Sequence, residues 1–120
     1  MIKQVGMANL MYSQDFDGKF PPKENWMDVC VPYVKSEELF HCPFVQEKYH
    51  DKRLYGYCFN MDLSSARASE QLETVPLVFE SENMGRNAWG TLSSLPKPGW
   101  ANDRSCVAYA DGHVKRIESK

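Results

Sequence analysis

The sequence predicts an α+β domain, and three observations carry that prediction. An apolar, helix-compatible stretch opens the chain and ends at the proline pair Pro21 and Pro22. Several short runs of branched and aromatic residues follow, which is typical of β-strands. The chain closes on two alternating runs around Asp111 and Gly112, and this pattern favours a β-hairpin. A helix and several short strands that must cover it together form an α+β fold.

Length and charge limit the possible organisation and partners. With 120 residues and 42% hydrophobic content, the chain is expected to form a single domain over residues 1–120. Its 14 basic and 16 acidic residues give a net charge of -2 without a basic stripe, so nucleic acid is not expected as a partner. Its apolar runs are shorter than the ~18 to 20 residues that cross a bilayer, and the apolar core of a secretory signal is missing.

The first helix is predicted to be buried. Apolar side chains cover most of its circumference, namely Ile2, Val5, Met7, Ala8, Leu10, Met11 and Tyr12. Gly18 permits a left-handed turn after it, and the two prolines cannot continue it.

A second, shorter helical stretch is predicted around Trp26 and Cys30. Pro32 interrupts it, Ser36 could cap one further turn, and Pro43 is expected to end that turn. A polar loop then leads to the first strand.

Two strands are predicted over residues 54–60 and 74–81, where aromatic and branched residues concentrate. Residues 82–105 are rich in Gly, Pro, Ser and Asn and predict a long loop. This loop carries Trp89 and Trp100, which could bind a partner or a sugar, or could instead lie over the core as lids.

The hairpin also holds a candidate base with an orienting carboxylate, His113 and Asp111. The turn itself requires Asp111 and Gly112, because Gly adopts a left-handed backbone freely and Asp does so at small cost. A nucleophile signature such as G-x-S-x-G is missing, as is a phosphate-binding glycine loop. We therefore expect a protein that is not an enzyme.

Four cysteines are many for a chain of this size: Cys30, Cys42, Cys58 and Cys106. An even number predicts two disulfides in an oxidising compartment, whereas a reducing compartment would favour free thiols or a metal. No pair has the C-x-x-C spacing of zinc and redox motifs. Three connectivities are possible, and the residues alone do not choose between them.

Several ordered motifs resemble one family along essentially the whole chain. They are "IKQVGMANLMYSQDFDGKFPP", Trp26, "VPYVK", "LFHCP", "YGYCFN", "VPLVFE" and "VAYADGHVKRI". Together they resemble the prepilin-like, type II secretion pseudopilin-like proteins of planctomycetes, verrucomicrobia and lentisphaerae, whose C-terminal mark is a histidine, nine residues and Asp-Gly. Asp111, Gly112 and His113 match the end of that mark. Ala101 stands where the family has its histidine, so a role for that histidine does not carry over.

The resemblance implies a pilin-like α+β fold, in which an N-terminal helix packs on a small antiparallel sheet that ends in the hairpin. It also implies a non-enzymatic assembly subunit of a type II secretion or type IV pilus-like system, with other pilin-like subunits or secretion-system proteins as partners. Family members carry a long hydrophobic helix before the segment that begins here, so we expect a membrane contact only through such a helix. The expected location is the periplasmic or extracellular face of the cell envelope.

An exported location would suit disulfides, which persist in oxidising compartments. Our preferred pairs are Cys42 with Cys58, because the first closes the segment before the first strand and the second lies on that strand, and then Cys30 with Cys106. Major pseudopilins, which resemble this fold, use a C-terminal calcium loop. The candidate oxygen ligands here, if they converge, are Glu80, Glu82, Asp103 and Asp111. Their spacing forms no recognisable loop, and the alternative is that they are solvated surface acids. We expect no cofactor.

A binding module on the same scaffold is the alternative function. Stacked rings with a few polar groups suit a carbohydrate or a peptide. The residues expected to line such a site are Arg86, Trp89, Trp100 and Tyr109.

Overall fold

A computed structural model describes residues 2–67 and 71–120. Its helices are α1 (Ile2–Asp15), α2 (Trp26–Cys30) and α3 (Pro43–Tyr49), and its strands are β1 (Tyr57–Asn60), β2 (Pro76–Glu80), β3 (Trp89–Gly90), β4 (Arg104–Tyr109) and β5 (Val114–Glu118). Short 3-10 turns occur at Lys23–Asn25, Val31–Tyr33, Glu37–Phe40, Met61–Leu63, Leu72–Thr74 and Leu92–Ser94. This architecture confirms the predicted α+β class. Among these residues, none of the helices is long and apolar enough to cross a membrane.

The five strands form one mixed sheet in the order β3-β1-β2-β4-β5. The pairs β1 with β2, β2 with β4, and β4 with β5 are antiparallel, but β3 runs parallel to β1. The expectation of an antiparallel sheet is therefore wrong at this edge. The parallel pairing follows from the path of the chain after β2. Strand β2 ends beside Tyr57, at the start of β1, and the chain then returns so that Trp89 lies beside Phe59.

Helix α1 covers one face of the sheet and contacts β2 and β4. Val5, Ala8 and Asn9 are fully or almost fully buried on its inner side. Gly6 allows the close approach, since a Cβ at that position would lie 3.1 Å from the Cβ of Ala108. At the end of the helix, Gly18 takes the predicted left-handed backbone with φ +76° and donates its N–H to the carbonyl oxygen of Ser13 at 2.7 Å.

Two apolar clusters lie on opposite faces of the sheet. The larger cluster lies under α1, α2 and α3 and contains Trp26, which is fully buried. Its indole Nε1 donates to the carbonyl oxygen of Ala88 at 2.8 Å, and its ring stacks on Phe59 with the centroids 5.8 Å apart. The smaller cluster, on the other face, consists of Cys58, Phe79, Leu95 and Val107 with partly buried neighbours.

Helix α3 stands where the sequence predicted a turn ended by Pro43 and then a polar loop. Pro43 begins this helix instead, because a residue in the first helical turn needs no N–H partner and proline has the φ that a helix requires. The helix ends at Tyr49, and the next residue, His50, takes a left-handed backbone with φ 49°. Val45 is its buried contact with the core.

The C-terminal hairpin is confirmed, although its turn differs from the predicted one. Cys106 lies opposite Arg116 in the β4 and β5 register. Tyr109 N–H donates to the carbonyl oxygen of His113 at 2.8 Å, so three residues form the turn. Only Gly112 of the turn takes a positive φ, +99°, whereas Asp111 does not. Such a geometry is typical of a three-residue loop that places a left-handed glycine last.

Candidate functional site

The four cysteines are free thiols, so neither predicted disulfide is present. Cys42 belongs to the cluster under α1, whereas Cys58 belongs to the cluster on the opposite face of the sheet. The β-sheet therefore separates the two sulfur atoms. Cys30 is buried in α2, while Cys106 lies in β4 beside Glu80 and Arg116. The prediction of a Cys42 and Cys58 pair failed because successive residues of a strand point to opposite faces, which turns Cys58 away from Cys42.

Burial also makes these thiols poor nucleophiles. It raises the pKa of the Cys30 thiol to about 12 and that of Cys42 to about 11. Burial is likewise the largest cause of the raised pKa values of Cys58 and Cys106. A thiolate is the reactive form of cysteine, so protonated thiols of this kind are chemically quiet near neutral pH.

Glu80 is a carboxylate held inside the fold, at the end of β2, with 4% of its surface exposed. Its Oε1 accepts the backbone N–H of Cys106 at 2.7 Å, and the Cys42 thiol points at Oε2 from 3.9 Å. Burial raises the pKa of Glu80, and the N–H of Cys106 and the charge of Arg116 oppose that rise only in part. Its role in the structure is to satisfy a strand N–H within the core.

The calcium candidates do not converge. Glu80 faces the core, and Glu82 accepts the backbone N–H of Lys97 at 3.4 Å. Asp103 lies in a left-handed turn at φ 61°, and Asp111 lies in the hairpin turn. Across the described ranges, 2–67 and 71–120, no three His, Cys, Asp or Glu side chains are grouped so that they could hold a metal ion.

Asp111 and His113 form a local contact of the hairpin. Nδ1 of His113 lies 2.5 Å from Oδ1 of Asp111, and the imidazole stacks on Tyr109 with the rings nearly parallel and 4.6 Å apart. The backbone N–H of His113 is the largest cause that lowers the pKa of Asp111. These contacts fix the turn and place Tyr109 against it.

The four residues predicted to line a ligand site have separate surroundings. Arg86 donates from Nε to Asp28 at 2.7 Å and from Nη1 to the Tyr55 hydroxyl at 3.0 Å. Trp89 lies on the edge strand β3, with the ammonium of Lys23 at 4.8 Å from its ring. Tyr109 packs against the hairpin turn, and Trp100 lines a pocket whose lining includes none of the other three.

Trp100 lines an open pocket of about 420 Å³ beside α3. We call this site the aromatic pocket, and its lining residues are Phe44, Val45, Glu47, Lys48, Tyr49, Met84 and Trp100. The Phe44 and Trp100 rings meet with their centroids 6.2 Å apart at a 36° angle. Most of this site was not predicted from the sequence, because α3 was not predicted. A usable signal was the spacing of Phe44, Glu47 and Lys48, which places three side chains on one side of a helix.

A second exposed feature is the side of α1 that faces away from the sheet. We call it the α1 outer face and define it by Gln4, Met7 and Met11. Met7 is 42% exposed and Met11 is 44% exposed. These residues line a groove of about 210 Å³ together with Ala8, Tyr33, Val34, Lys35 and Leu39.

The hairpin turn borders the α1 outer face. A Cβ built on Gly112 would lie 3.2 Å from Leu10 Cδ1 and 3.4 Å from Met7 Sδ, so a larger residue would press on the helix. The turn and the helix therefore form one continuous surface.

Comparisons with protein-family models, with curated proteins and with solved structures each give no match for this chain. Any functional conclusion must therefore come from the sequence motifs and from the two exposed features, the α1 outer face and the aromatic pocket.

Proposed function

We propose that this chain is a non-enzymatic, pilin-like assembly subunit of the cell envelope, and that its α1 outer face binds neighbouring subunits. The single observation that carries the proposal is the exposure of Met7 and Met11, four residues apart on a helix whose opposite side is buried against the sheet. A helix that is apolar on both sides suits a position between the core of its own domain and a partner.

The composition of α1 supports a packing surface. Between Ile2 and Gln14 the helix carries one charged residue, Lys3. Depletion of charge at the centre of a contact and enrichment in methionine are features of protein interfaces. Methionine also adapts its shape to a partner, because it is unbranched and has a polarisable sulfur.

Self-association of the purified chain tests this proposal. The perturbation is Met11→Lys, which places a charge at the middle of the α1 outer face. The matched control is Met61→Lys, because Met61 has a similar exposure, 39%, and lies in a 3-10 turn outside α1. Loss of one methionine contact and burial of a charge should weaken association by about tenfold or more.

Sedimentation equilibrium over a wide range of protein concentration gives the association constant of each variant. We expect the wild type and Met61→Lys to associate equally, and Met11→Lys to associate more weakly by about tenfold or more. A wild type that stays monomeric throughout, or equal weakening by both substitutions, would contradict the proposed role of α1.

A further inference from the structure

We propose that the aromatic pocket binds a neutral saccharide. The assembly role proposed above does not involve this site, so the two proposals stand or fall separately. The ligand class follows from three properties of the pocket: its ring surfaces, its balanced charges and its fixed walls.

The rings provide a surface on which one face of a sugar can stack. The Phe44 and Trp100 rings are tilted by 36° with their centroids 6.2 Å apart, so together they form an aromatic platform. Phe44 is 38% exposed and Tyr49 is 47% exposed at the rim. Aromatic faces carry negative potential, and the C–H groups on the flat side of a pyranose ring carry the complementary positive potential.

The charged residues of the lining favour a neutral ligand with hydroxyl groups. Glu47 and Lys48 contribute one charge of each sign, so the lining offers no net charge that would attract an ion of either sign. A hydroxyl group can donate to the Glu47 carboxylate and accept from the Lys48 ammonium. Because residues 44, 47 and 48 are separated by three and four positions in α3, the ring and both polar groups lie on the same side of the helix.

Both walls of the pocket are fixed by close backbone packing. On one side, Gly56 lets α3 approach the sheet, since a Cβ there would lie 2.6 Å from Cγ2 of Val45. On the other side, Gly99 precedes Trp100 and packs on Arg104, whose carbonyl oxygen would lie 2.3 Å from a Cβ. The N–H of Gly99 also donates to the carbonyl oxygen of Ser119 at 2.6 Å. Fixed walls reduce the entropy lost on binding.

The volume of about 420 Å³ is in the range of small-molecule sites, which is roughly 300–1,000 Å³. The pocket is open to solvent, so a longer chain of sugars could continue beyond it. An apolar peptide is the alternative occupant, and it offers fewer hydroxyl groups to Glu47 and Lys48 than a saccharide does.

Titration of the isotope-labelled protein, followed by NMR of the tryptophan indole N–H groups, tests the proposal. The probes are glucose, galactose, mannose, N-acetylglucosamine and their β-1,4 and α-1,4-linked tetramers, with an acetylated and amidated Leu-Phe-Leu peptide and galacturonate for comparison. The three indole groups report three different places: Trp26 in the core, Trp89 on β3 and Trp100 in the pocket. We expect at least one neutral saccharide to shift the Trp100 signal saturably and to leave those of Trp26 and Trp89 in place.

Substitutions then connect binding to individual side chains. Phe44→Ala should weaken the saccharide that binds by about tenfold or more, because half of the aromatic platform is lost. Glu47→Gln retains the size of the side chain and should weaken binding by a smaller factor, because a charged acceptor is replaced by a neutral one. Trp89→Ala is the matched control, since Trp89 is an exposed ring outside the pocket, and it should bind as the wild type does.

Three results would overturn the proposal. The first is that no neutral saccharide of the panel shifts the Trp100 signal. The second is that the peptide or galacturonate binds at Trp100 more tightly than every neutral saccharide. The third is that Trp89→Ala abolishes binding while Phe44→Ala retains it. Self-association measured on Phe44→Ala should equal that of the wild type, which distinguishes failure at this pocket from failure at α1.

Discussion

Replacement of Gly56 by alanine tests how closely α3 must pack on the sheet. Gly56 takes φ +101°, and a Cβ there would lie 2.6 Å from Cγ2 of Val45 and 2.9 Å from the Cβ of Cys42. Val45 is 1% exposed and Cys42 is fully buried, so neither can move into solvent. The substitution therefore strains the backbone and overfills the core at the same time.

The magnitude follows from these two effects. A left-handed backbone costs a residue with a Cβ about 1–2 kcal/mol. An additional methyl group in a filled core costs about 1–3 kcal/mol. We expect Gly56→Ala to lower the free energy of unfolding by about 2–5 kcal/mol, a large part of the ~5–15 kcal/mol that is typical of a domain.

Gly18→Ala separates the two effects. Gly18 also has a positive φ, +76°, but no atom lies within 4 Å of its Cβ position. Gly18→Ala should therefore lower the free energy of unfolding only by the backbone contribution, about 1–2 kcal/mol. Urea unfolding, followed by circular dichroism and tryptophan fluorescence, gives both values. Equal losses in the two variants, or a loss below about 1 kcal/mol for Gly56→Ala, would refute the packing argument.

Two further predictions concern buried groups. All four cysteines should react with a thiol reagent once the protein is unfolded without reductant. In the folded protein they should react slowly, because burial keeps the thiols protonated. A mass change on reduction of the purified protein would contradict the presence of four free thiols. For Glu80, burial raises the pKa of the folded state, so the folded protein holds the proton more tightly than the unfolded chain does. The free energy of unfolding should consequently fall as the pH rises from the ordinary glutamate pKa through the raised one, and Glu80→Gln should remove that fall. Identical pH profiles for the wild type and Glu80→Gln would show that Glu80 titrates normally.

Local signals explain which elements the sequence could predict. Helix α1 and the hairpin were predicted because their patterns lie in consecutive residues: an apolar stretch closed by Gly18, and alternating runs around Gly112. The two central strands were predicted for the same reason. Each of these elements needs little information from distant parts of the chain.

The elements that were missed depend on distant contacts or on ambiguous residues. Pro43 is compatible with either end of a helix, and only the docking of Val45 into the core decides that it begins α3. Strand β3 has two residues, and its parallel pairing with β1 joins segments about thirty residues apart. The aromatic pocket needs both α3 and the turn before Trp100, so only one of its rings could be predicted.

The same dependence on distant contacts explains why the predicted disulfide between Cys42 and Cys58 is wrong. The alternation of strand β1 places Tyr57 and Phe59 in the cluster under α1 and Cys58 on the opposite face. Chain position suggested a pair with Cys42, whereas the side of the strand on which the sulfur lies forbids it.

The strand order of the sheet limits how this protein can join to others. An open edge offers unpaired backbone groups to any foreign strand, which is the usual route to aggregation. Here one edge is the two-residue β3, too short to serve as a template, and the other is β5, with Lys115, Arg116 and Glu118 exposed along it. Charged side chains on an edge oppose the approach of a further strand. Contacts through side chains of helices and loops are therefore favoured over extension of the sheet.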